Sequence, residues 1–228
     1  MKTSSKIAGL SLCASVLLCL SGCNRVARSF YLISYDRDIR SATKDIENAR
    51  DNAHRAEAYA KRGSAYSEKA RYSKAFKLIS ADEYDRLFGF AVKDHDQAIA
   101  LDPSRAEAYY TRGVTYYDRA DLEAVVDGRL VGSEADRKAW FEPASADFKK
   151  AIERDGRLYL AWDRLGLSHE TTGELDQAIS DYAQEMALNP LGTARLADAY
   201  CTRAGASSKK WIAPEMLDRL KKESGRSN

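Results

Sequence analysis

Three stretches of the chain share one spacing and predict its fold: YAKRGSAY at residues 59–66, YYTRGVTY at 109–116 and WDRLGLSH at 162–169. In each, a large aromatic residue comes first, a glycine follows four positions later and a ring-bearing residue closes the stretch. A second element follows every stretch, in which an alanine precedes a ring by four residues: Ala91 and His95, Ala144 and Phe148, Ala178 and Tyr182. Twelve residues after each alanine stands a residue that ends helices: Pro103, Gly156 and Pro190. A motif that recurs in this way predicts an array of similar helical units.

This pattern resembles the tetratricopeptide repeat (TPR), which reads W-x₂-L-G-x₂-Y, then A-x₃-F, then P. The resemblance implies an all-α fold, a TPR-type solenoid of helical hairpins. Small residues at the facing positions let the two helices of each hairpin pack closely, and these are Gly63, Gly113 and Gly166. The chain departs from the pattern at four places. Arg62 and Arg112 replace leucine, His95 replaces an aromatic residue, and Gly156 replaces the proline that ends the second unit.

The first two units are longer than a standard repeat. Tyr59 and Tyr109 lie 50 residues apart, and Tyr109 and Trp162 lie 53 apart, whereas a TPR has about 34 residues. The extra residues fall between the two helices of each unit. We predict two adjacent long hairpins that pack on each other and project beyond a third hairpin of normal length. A pair of disordered loops is the alternative interpretation of the same spacing.

Local patterns favour the long hairpins. An apolar stripe at helical spacing prolongs the first helix, through Tyr72, Ala75, Phe76 and Ile79. Ser80-x-x-Glu83 and Ser133-x-x-Asp136 resemble capping boxes, which begin helices. Each serine stands 11 residues before the alanine of its second helix. We therefore expect both second helices to be lengthened equally, with the remaining difference taken up around Asp127-Gly128 and Gly132.

The N-terminus has the features of an export signal. Lys2 and Lys6 precede an apolar run over residues 7–20, which is too short for a comfortable membrane span. Leu20-Ser21-Gly22-Cys23 follows and resembles the lipobox (LSGC) of bacterial lipoproteins. The resemblance implies that Cys23 is acylated, with chains such as palmitate, after cleavage of the signal. The alternative is an ordinary secretion signal with an incidental cysteine.

The patterns divide the chain into four segments. These are a lipoprotein signal peptide (1–22), the lipidated Cys23 with a tether (23–38), a TPR array of three repeats plus flanking helices (39–205), and a C-terminal capping helix and tail (206–228). Within the array, Ala42 and Ile46 indicate a helical half-repeat before the first unit, and residues 194–204 a helix after the third. In well-studied systems for sorting lipoproteins, an aspartate after the lipidated cysteine retains the protein on the inner membrane. Asn24 follows Cys23 here, so the resemblance implies an outer-membrane anchor with the body facing the periplasm.

Composition excludes several classes of protein. Hydrophobic residues make up 44% of the 228-residue chain and charged residues 31%, which excludes a polytopic membrane protein and wholesale disorder. A formal net charge of +2 gives no electrostatic case for a nucleic-acid partner. Three of the four cysteines lie in or at the end of the signal, so Cys201 has no partner for a disulfide within its own chain if Cys23 is acylated.

No enzyme signature stands out. The three histidines, His54, His95 and His169, are isolated, and no Cys/His cluster has the spacing of a metal site. The chain has no glycine-rich phosphate loop, G-x-S-x-G or H-E-x-x-H motif. We therefore predict no catalytic residues, no metal and no cofactor.

A binding groove is the better prediction. In TPR proteins the first helices of successive repeats line a concave groove, and fifteen positions here map onto it. Six of them are acidic and none is Lys or Arg. The resemblance implies a groove for a basic or amphipathic segment, with two tyrosines as aromatic anchors; its main residues are Glu57, Ser64, Glu68, Glu107, Tyr110, Tyr117, Asp118, Asp163 and Glu170. The alternative is that the acids are solvated surface and the tyrosines pack between repeats.

Together these features predict a membrane-anchored TPR lipoprotein that acts as a non-catalytic adaptor or scaffold for a partner protein at the bacterial cell envelope. Two alternatives remain. One is an envelope enzyme, or the activator subunit of one, and the other is a structural component of a secretion or envelope-biogenesis complex.

Overall fold

The computed structural model describes residues 31–126, 129–189 and Ala199. The signal peptide, Cys23, the helix expected at 194–204 and the segment 206–228 lie outside these residues, apart from Ala199. The chain is helical over residues 31–47, which form α1. Six helices and two short strands follow: α2 (Asn52–Ala75), α3 (Ala81–Leu101), α4 (Ala106–Ala124), β1 (Val125–Val126), β2 (Arg129–Leu130), α5 (Glu134–Arg154), α6 (Tyr159–Thr172) and α7 (Leu175–Leu188).

The helices form three hairpins of two lengths. The pairs α2–α3 and α4–α5 have helices of 24 and 21 and of 19 and 21 residues, whereas α6 and α7 have 14 each. The prediction of two long hairpins followed by a normal one is therefore confirmed. The long hairpins pack on each other, with the rings of Phe88 and Tyr116 6.0 Å apart. Between α4 and α5 an antiparallel ladder pairs Val125 with Leu130 and Val126 with Arg129, a detail that the helical period does not reveal.

Serine caps begin both long second helices. The Ser80 hydroxyl accepts a hydrogen bond from the Glu83 amide (3.2 Å). At Ser133 the capping box is complete, because the Asp136 carboxylate also accepts from the Ser133 amide (2.9 Å). These bonds satisfy backbone donors that a helix start leaves without partners. The helix α2 ends at Ala75, with Phe76 as its cap, so the apolar stripe predicts its end to within a few residues.

A ring of the second helix lies on each repeat glycine. A Cβ atom at Gly113 would come within 2.7 Å of the Phe148 ring, and one at Gly63 within 2.8 Å of His95. Gly166 has the same relation to Tyr182, at 2.7 Å. These distances are far below van der Waals contact, so only glycine lets the two helices lie this close. The predicted role of the three glycines is confirmed.

The two unusual arginines bind the second helix of their own hairpin. Arg62 donates two hydrogen bonds to the Asp94 carboxylate (2.7 and 2.8 Å), and Arg112 donates two to Asp147 (both 2.7 Å). In the third hairpin, leucine replaces the arginine and the equivalent Asp181 contacts the His169 ring instead (2.6 Å). Each aspartate immediately precedes the ring that covers the glycine. One polar link therefore recurs beside each glycine contact.

Part of the predicted tether is helical. Residues 31–38, assigned by sequence to a tether, already belong to α1. Their packing explains this, because Tyr35 lies against Tyr72 (6.0 Å between rings) and Asp36 forms an ion pair with Lys69 (2.7 Å). Both contacts join α1 to α2. The half-repeat therefore begins earlier than the alanine spacing suggests.

Candidate binding groove

A cleft of about 650 Å³ lies between α1, α2 and the start of α4. Its wall on α1 carries Asp38, Ser41 and Asp45. The helix α2 contributes Glu57, Lys61, Ser64 and Glu68, and Arg105, Glu107 and Thr111 complete the lining at α4. Five of the lining residues are acidic and two are basic, so the cleft has an excess of negative charge.

Some of this charge is neutralised within the cleft. Glu57 forms an ion pair with Lys61 (2.7 Å) and approaches Arg105 (3.8 Å). The hydrogen bond from Lys61 and its charge lower the pKa of Glu57. Arg105 also approaches Glu107 (3.8 Å), whose side chain is 64% exposed. Asp38 and Asp45 have no ion-pair partner within the described part of the chain, and they keep the α1 wall negative.

A second group of charges continues from the cleft along α2 and α4. Arg71 contacts Glu68 (2.7 Å) and Asp118 (3.4 Å), and so joins the two helices. Burial raises the pKa of Asp118 to about 6, against the opposing effect of Arg71 and Arg164. The Arg164 guanidinium lies over the Tyr117 ring, 5.6 Å from its centre. This part of the surface is therefore mixed in charge and not uniformly acidic.

The structure brings four of the nine predicted groove residues into the cleft: Glu57, Ser64, Glu68 and Glu107. Asp118 lies next to them through Arg71. Tyr110 is half-buried, with its ring 6.1 Å from Phe148. Asp163 and Glu170 are half-buried on α6, and Glu170 accepts a hydrogen bond from Tyr182 (2.8 Å). Cys23 lies outside the described residues.

The prediction for Tyr117 is wrong. Its side chain is only 5% exposed and packs edge-on against Phe141, at 5.0 Å between rings. Tyr117 belongs to the core cluster between α4, α5 and α6, so it offers no ring to a ligand.

The acidic wall on α1 is the feature that sequence reasoning missed. Asp38, Ser41, Ala42 and Asp45 are spaced as one face of a helix. That spacing was visible in the sequence, but only the packing of α1 on α2 places the face beside Glu57 and Glu68. The groove therefore has one more wall than the repeat pattern implies.

His95 and His169 are buried and contact neighbouring helices. His95 is fully buried against Gly63 and near Thr115 (3.1 Å), and burial lowers its pKa to about 3. His169 is held by Asp181 in the third hairpin.

Across the described ranges, no group of three or more His, Cys, Asp or Glu side chains could hold a metal ion. In the same ranges no helix has the length and apolar character to cross a membrane.

No protein-family model and no curated protein matches the chain, whereas solved structures do. The chain is similar to MamA, at 19% identity and a TM-score of 0.51, over 83% of this chain and 86% of that one. It is also similar to TTC0263, a thermophilic TPR protein of Thermus thermophilus, at 18% identity and a TM-score of 0.45, over 84% of this chain and 97% of that one. A third is the second TPR domain of human RPAP3 in complex with an HSP70 peptide, at 22% identity and a TM-score of 0.40, over 60% of this chain and 95% of that one.

At these identities the likeness concerns the fold. The three hairpins, the glycine contacts and the similarity to MamA agree on one architecture. The chain has the fold of a TPR-type helical-hairpin solenoid, with its first two hairpins lengthened.

Proposed function

We propose that the chain is a lipid-anchored adaptor at the bacterial cell envelope, non-catalytic, which holds a basic or amphipathic segment of a partner protein in the cleft between α1, α2 and α4. The observation that carries the proposal is the five acidic and two basic residues that line this cleft. Complementary charge speeds the encounter of two proteins and selects the orientation in which they bind. A segment with several Lys or Arg residues fits this lining.

The pairing within the cleft supports a cationic ligand over an anionic one. Lys61 pairs with Glu57 (2.7 Å), and Arg105 lies 3.8 Å from both Glu57 and Glu107, so these acids offset the charge of the two cations. Asp38 and Asp45 face the same space from α1. A Lys or Arg side chain that enters between the helices would be attracted by these two carboxylates, and no existing ion pair would have to break.

The envelope location rests on the N-terminal sequence. Lys2, Lys6, the apolar run 7–20 and the LSGC motif together support acylation of Cys23. More than one acyl chain is needed for stable anchoring, which the lipoprotein pathway supplies. With Asn24 after the cysteine, the proposed site is the periplasmic face of the outer membrane.

The cleft is tested by capture of partners from detergent-solubilised envelopes with the full lipidated chain, followed by mass spectrometry. We expect Glu57→Lys with Glu107→Lys to lower the yield of the principal partner at least tenfold, because both acids line the cleft. The matched control is Glu134→Lys with Glu142→Lys, two exposed acids on α5 with the same change in charge. Equal yields from the wild type and both variants would refute the cleft as the binding site.

A further inference from the structure

Aromatic rings gather at the end of the array where α1 begins and α2 ends. The Tyr72 ring lies 5.4 Å from that of Tyr31, 6.0 Å from Tyr35 and 4.6 Å from Phe76. The two helices run antiparallel, since Asp36 near the start of α1 contacts Lys69 near the end of α2. The start of the described chain and the tip of the first long hairpin therefore lie together.

This end exposes more apolar surface than a helix end requires. Tyr31 is 51% exposed, Ile33 62%, Phe76 41% and Leu78 42%. These are four of the eight large apolar side chains that are exposed in the described ranges. We call Tyr31, Ile33, Phe76 and Leu78 the aromatic end. Exposed apolar side chains gathered in one place mark a surface that contacts something other than water.

Positive charge accompanies the aromatic end. Lys77, next to Phe76, is exposed, whereas the ammonium of Lys74 lies over the Tyr84 ring, 5.3 Å from its centre. Of the acids close by along the chain, Asp36 pairs with Lys69 and Glu83 with Arg86 (2.7 Å each), whereas Asp82 is exposed and forms no ion pair with the described residues. Aromatic rings beside lysines are the combination that favours the lipid–water interface, where rings enter the headgroup layer and lysines meet phosphates.

The length of the connecting chain limits where this end can be. Seven residues, 24–30, lie between the proposed lipid anchor at Cys23 and Tyr31, and they include Arg25 and Arg28 but no acid. Fully extended, the chain from Cys23 to Tyr31 spans at most about 29 Å. Tyr31 is therefore always close to the membrane surface if Cys23 is acylated, whereas the other end of the array is not restricted in this way.

We propose that the aromatic end docks on the membrane surface and fixes the orientation of the array, with the rings in the headgroup layer and Lys77 on lipid phosphates. This inference rests on the proposed lipid anchor and goes beyond it, because an anchor alone lets the body tumble. Glu57 lies 18 residues before Ala75 on α2, about 27 Å along the helix axis. The outer part of the acidic cleft is then held away from the bilayer, where a periplasmic partner reaches it.

The test compares two exposed alanines near helix ends, Ala75 at the aromatic end and Ala187 at the opposite end of the array. Each is changed to cysteine in the full lipidated chain with Cys201→Ser, labelled with an environment-sensitive fluorophore and reconstituted into phosphatidylethanolamine/phosphatidylglycerol vesicles that contain brominated lipid. We expect quenching at Ala75→Cys at least fivefold stronger than at Ala187→Cys. Equal quenching, or stronger quenching at Ala187→Cys, overturns the docking.

Two further measurements separate the possible failures. The mass of the purified protein reports acylation of Cys23; an unacylated protein refutes the anchor and the docking that rests on it, and an acylated one with equal quenching refutes the docking alone. Tyr31→Ser with Phe76→Ser should abolish the excess quenching at Ala75→Cys. Tyr159→Ser with Leu160→Ser, exposed residues at the far end (37% and 39%), should leave it unchanged. If both pairs leave it unchanged, the aromatic end is not the docking surface and another part of the protein, or a partner, sets the orientation.

Discussion

The guanidinium of Arg112 and the carboxylate of Asp147 form a two-pronged ion pair between α4 and α5, with both hydrogen bonds 2.7 Å long. Asp147 is 5% exposed and Arg112 21%. Hydrogen bonding by Asp147, and then by Asp96, raises the pKa of Arg112 despite its burial. The pair lies one residue from the contact between Phe148 and Gly113, so it fixes the register of the second hairpin.

Removal of one partner of this pair should destabilise the fold. In Asp147→Ala the Arg112 guanidinium loses two hydrogen bonds in a largely buried site and keeps the exposed Asp96 as an acceptor (2.6 Å). The cost should be about 2 kcal/mol, less than for a buried charge left without a partner. Urea denaturation followed by circular dichroism measures the change. Glu134→Ala, which removes an exposed partner of Lys138, is the control and should leave the free energy of unfolding nearly unchanged. A similarly small loss of unfolding free energy in both variants would mean that the buried Arg112–Asp147 pair stabilises the fold no more than an exposed pair does.

The arginine–aspartate pairs illustrate what the repeat pattern could and could not predict. Arg62 and Arg112 were recognisable as departures from leucine, but a pattern read along one helix does not reveal the partner on the next. A signal was present, because Asp94, Asp147 and Asp181 occupy the same position, immediately before the ring of their repeat. The fold itself was predictable because glycine, alanine and ring spacing are imposed by helix contact within a single hairpin.

Substitution of the repeat glycines tests the close approach directly. In Gly113→Ala the new methyl group would meet Phe148 at 2.7 Å, and overpacking of this kind costs about 1–3 kcal/mol. Gly89→Ala is a matched control within α3, since nothing lies within 4 Å of the new atom; it should stabilise the chain by up to about 1 kcal/mol through helix propensity. The unfolding free energies of both variants give the comparison. Stabilisation by both substitutions would show that α4 and α5 are not in close contact at Gly113.

The groove was only partly predictable. Glu57 and Glu107 follow from the repeat register, because that register sets which face of each first helix is concave. The contribution of Asp38 and Asp45 depends on the docking of α1, which has no repeat partner of its own in the pattern. The prediction for Tyr117 was wrong for a related reason, since the burial of its ring depends on Phe141 from another helix. Contacts between elements distant in sequence decided each of these cases.

The proposed lipid anchor is tested by substitution of Cys23. Cys23→Ser removes the only thiol in the lipobox, so the chain should either leave the membrane fraction or retain its signal peptide. Fractionation with a high-salt wash and the mass of the recovered chain distinguish these outcomes. Cys201→Ser is the control and should be processed and anchored like the wild type. A Cys23→Ser chain that is processed to the wild-type length and remains in washed membranes would refute the anchor.

Burial of Asp118 should make the free energy of unfolding fall as the pH rises. Its folded-state pKa, about 6, lies above the value near 3.8 of an unburied aspartate. Between about pH 4 and 6 the unfolded chain has released this proton while the folded chain keeps it. The favourable contribution of the protonated group is therefore complete below about pH 4 and lost as the pH rises through 6, a difference of about 2–3 kcal/mol.

Asp118→Asn isolates this effect, because an amide does not titrate and the other groups cancel in the comparison. The unfolding free energy of the variant, relative to that of the wild type, should rise by about 2–3 kcal/mol between pH 4 and pH 7. Urea denaturation at half-unit intervals of pH measures the difference. The rise should be centred near pH 5, midway between the two pKa values. A difference that is constant across this range would mean that Arg71, 3.4 Å from Asp118, offsets the burial and keeps the carboxylate charged.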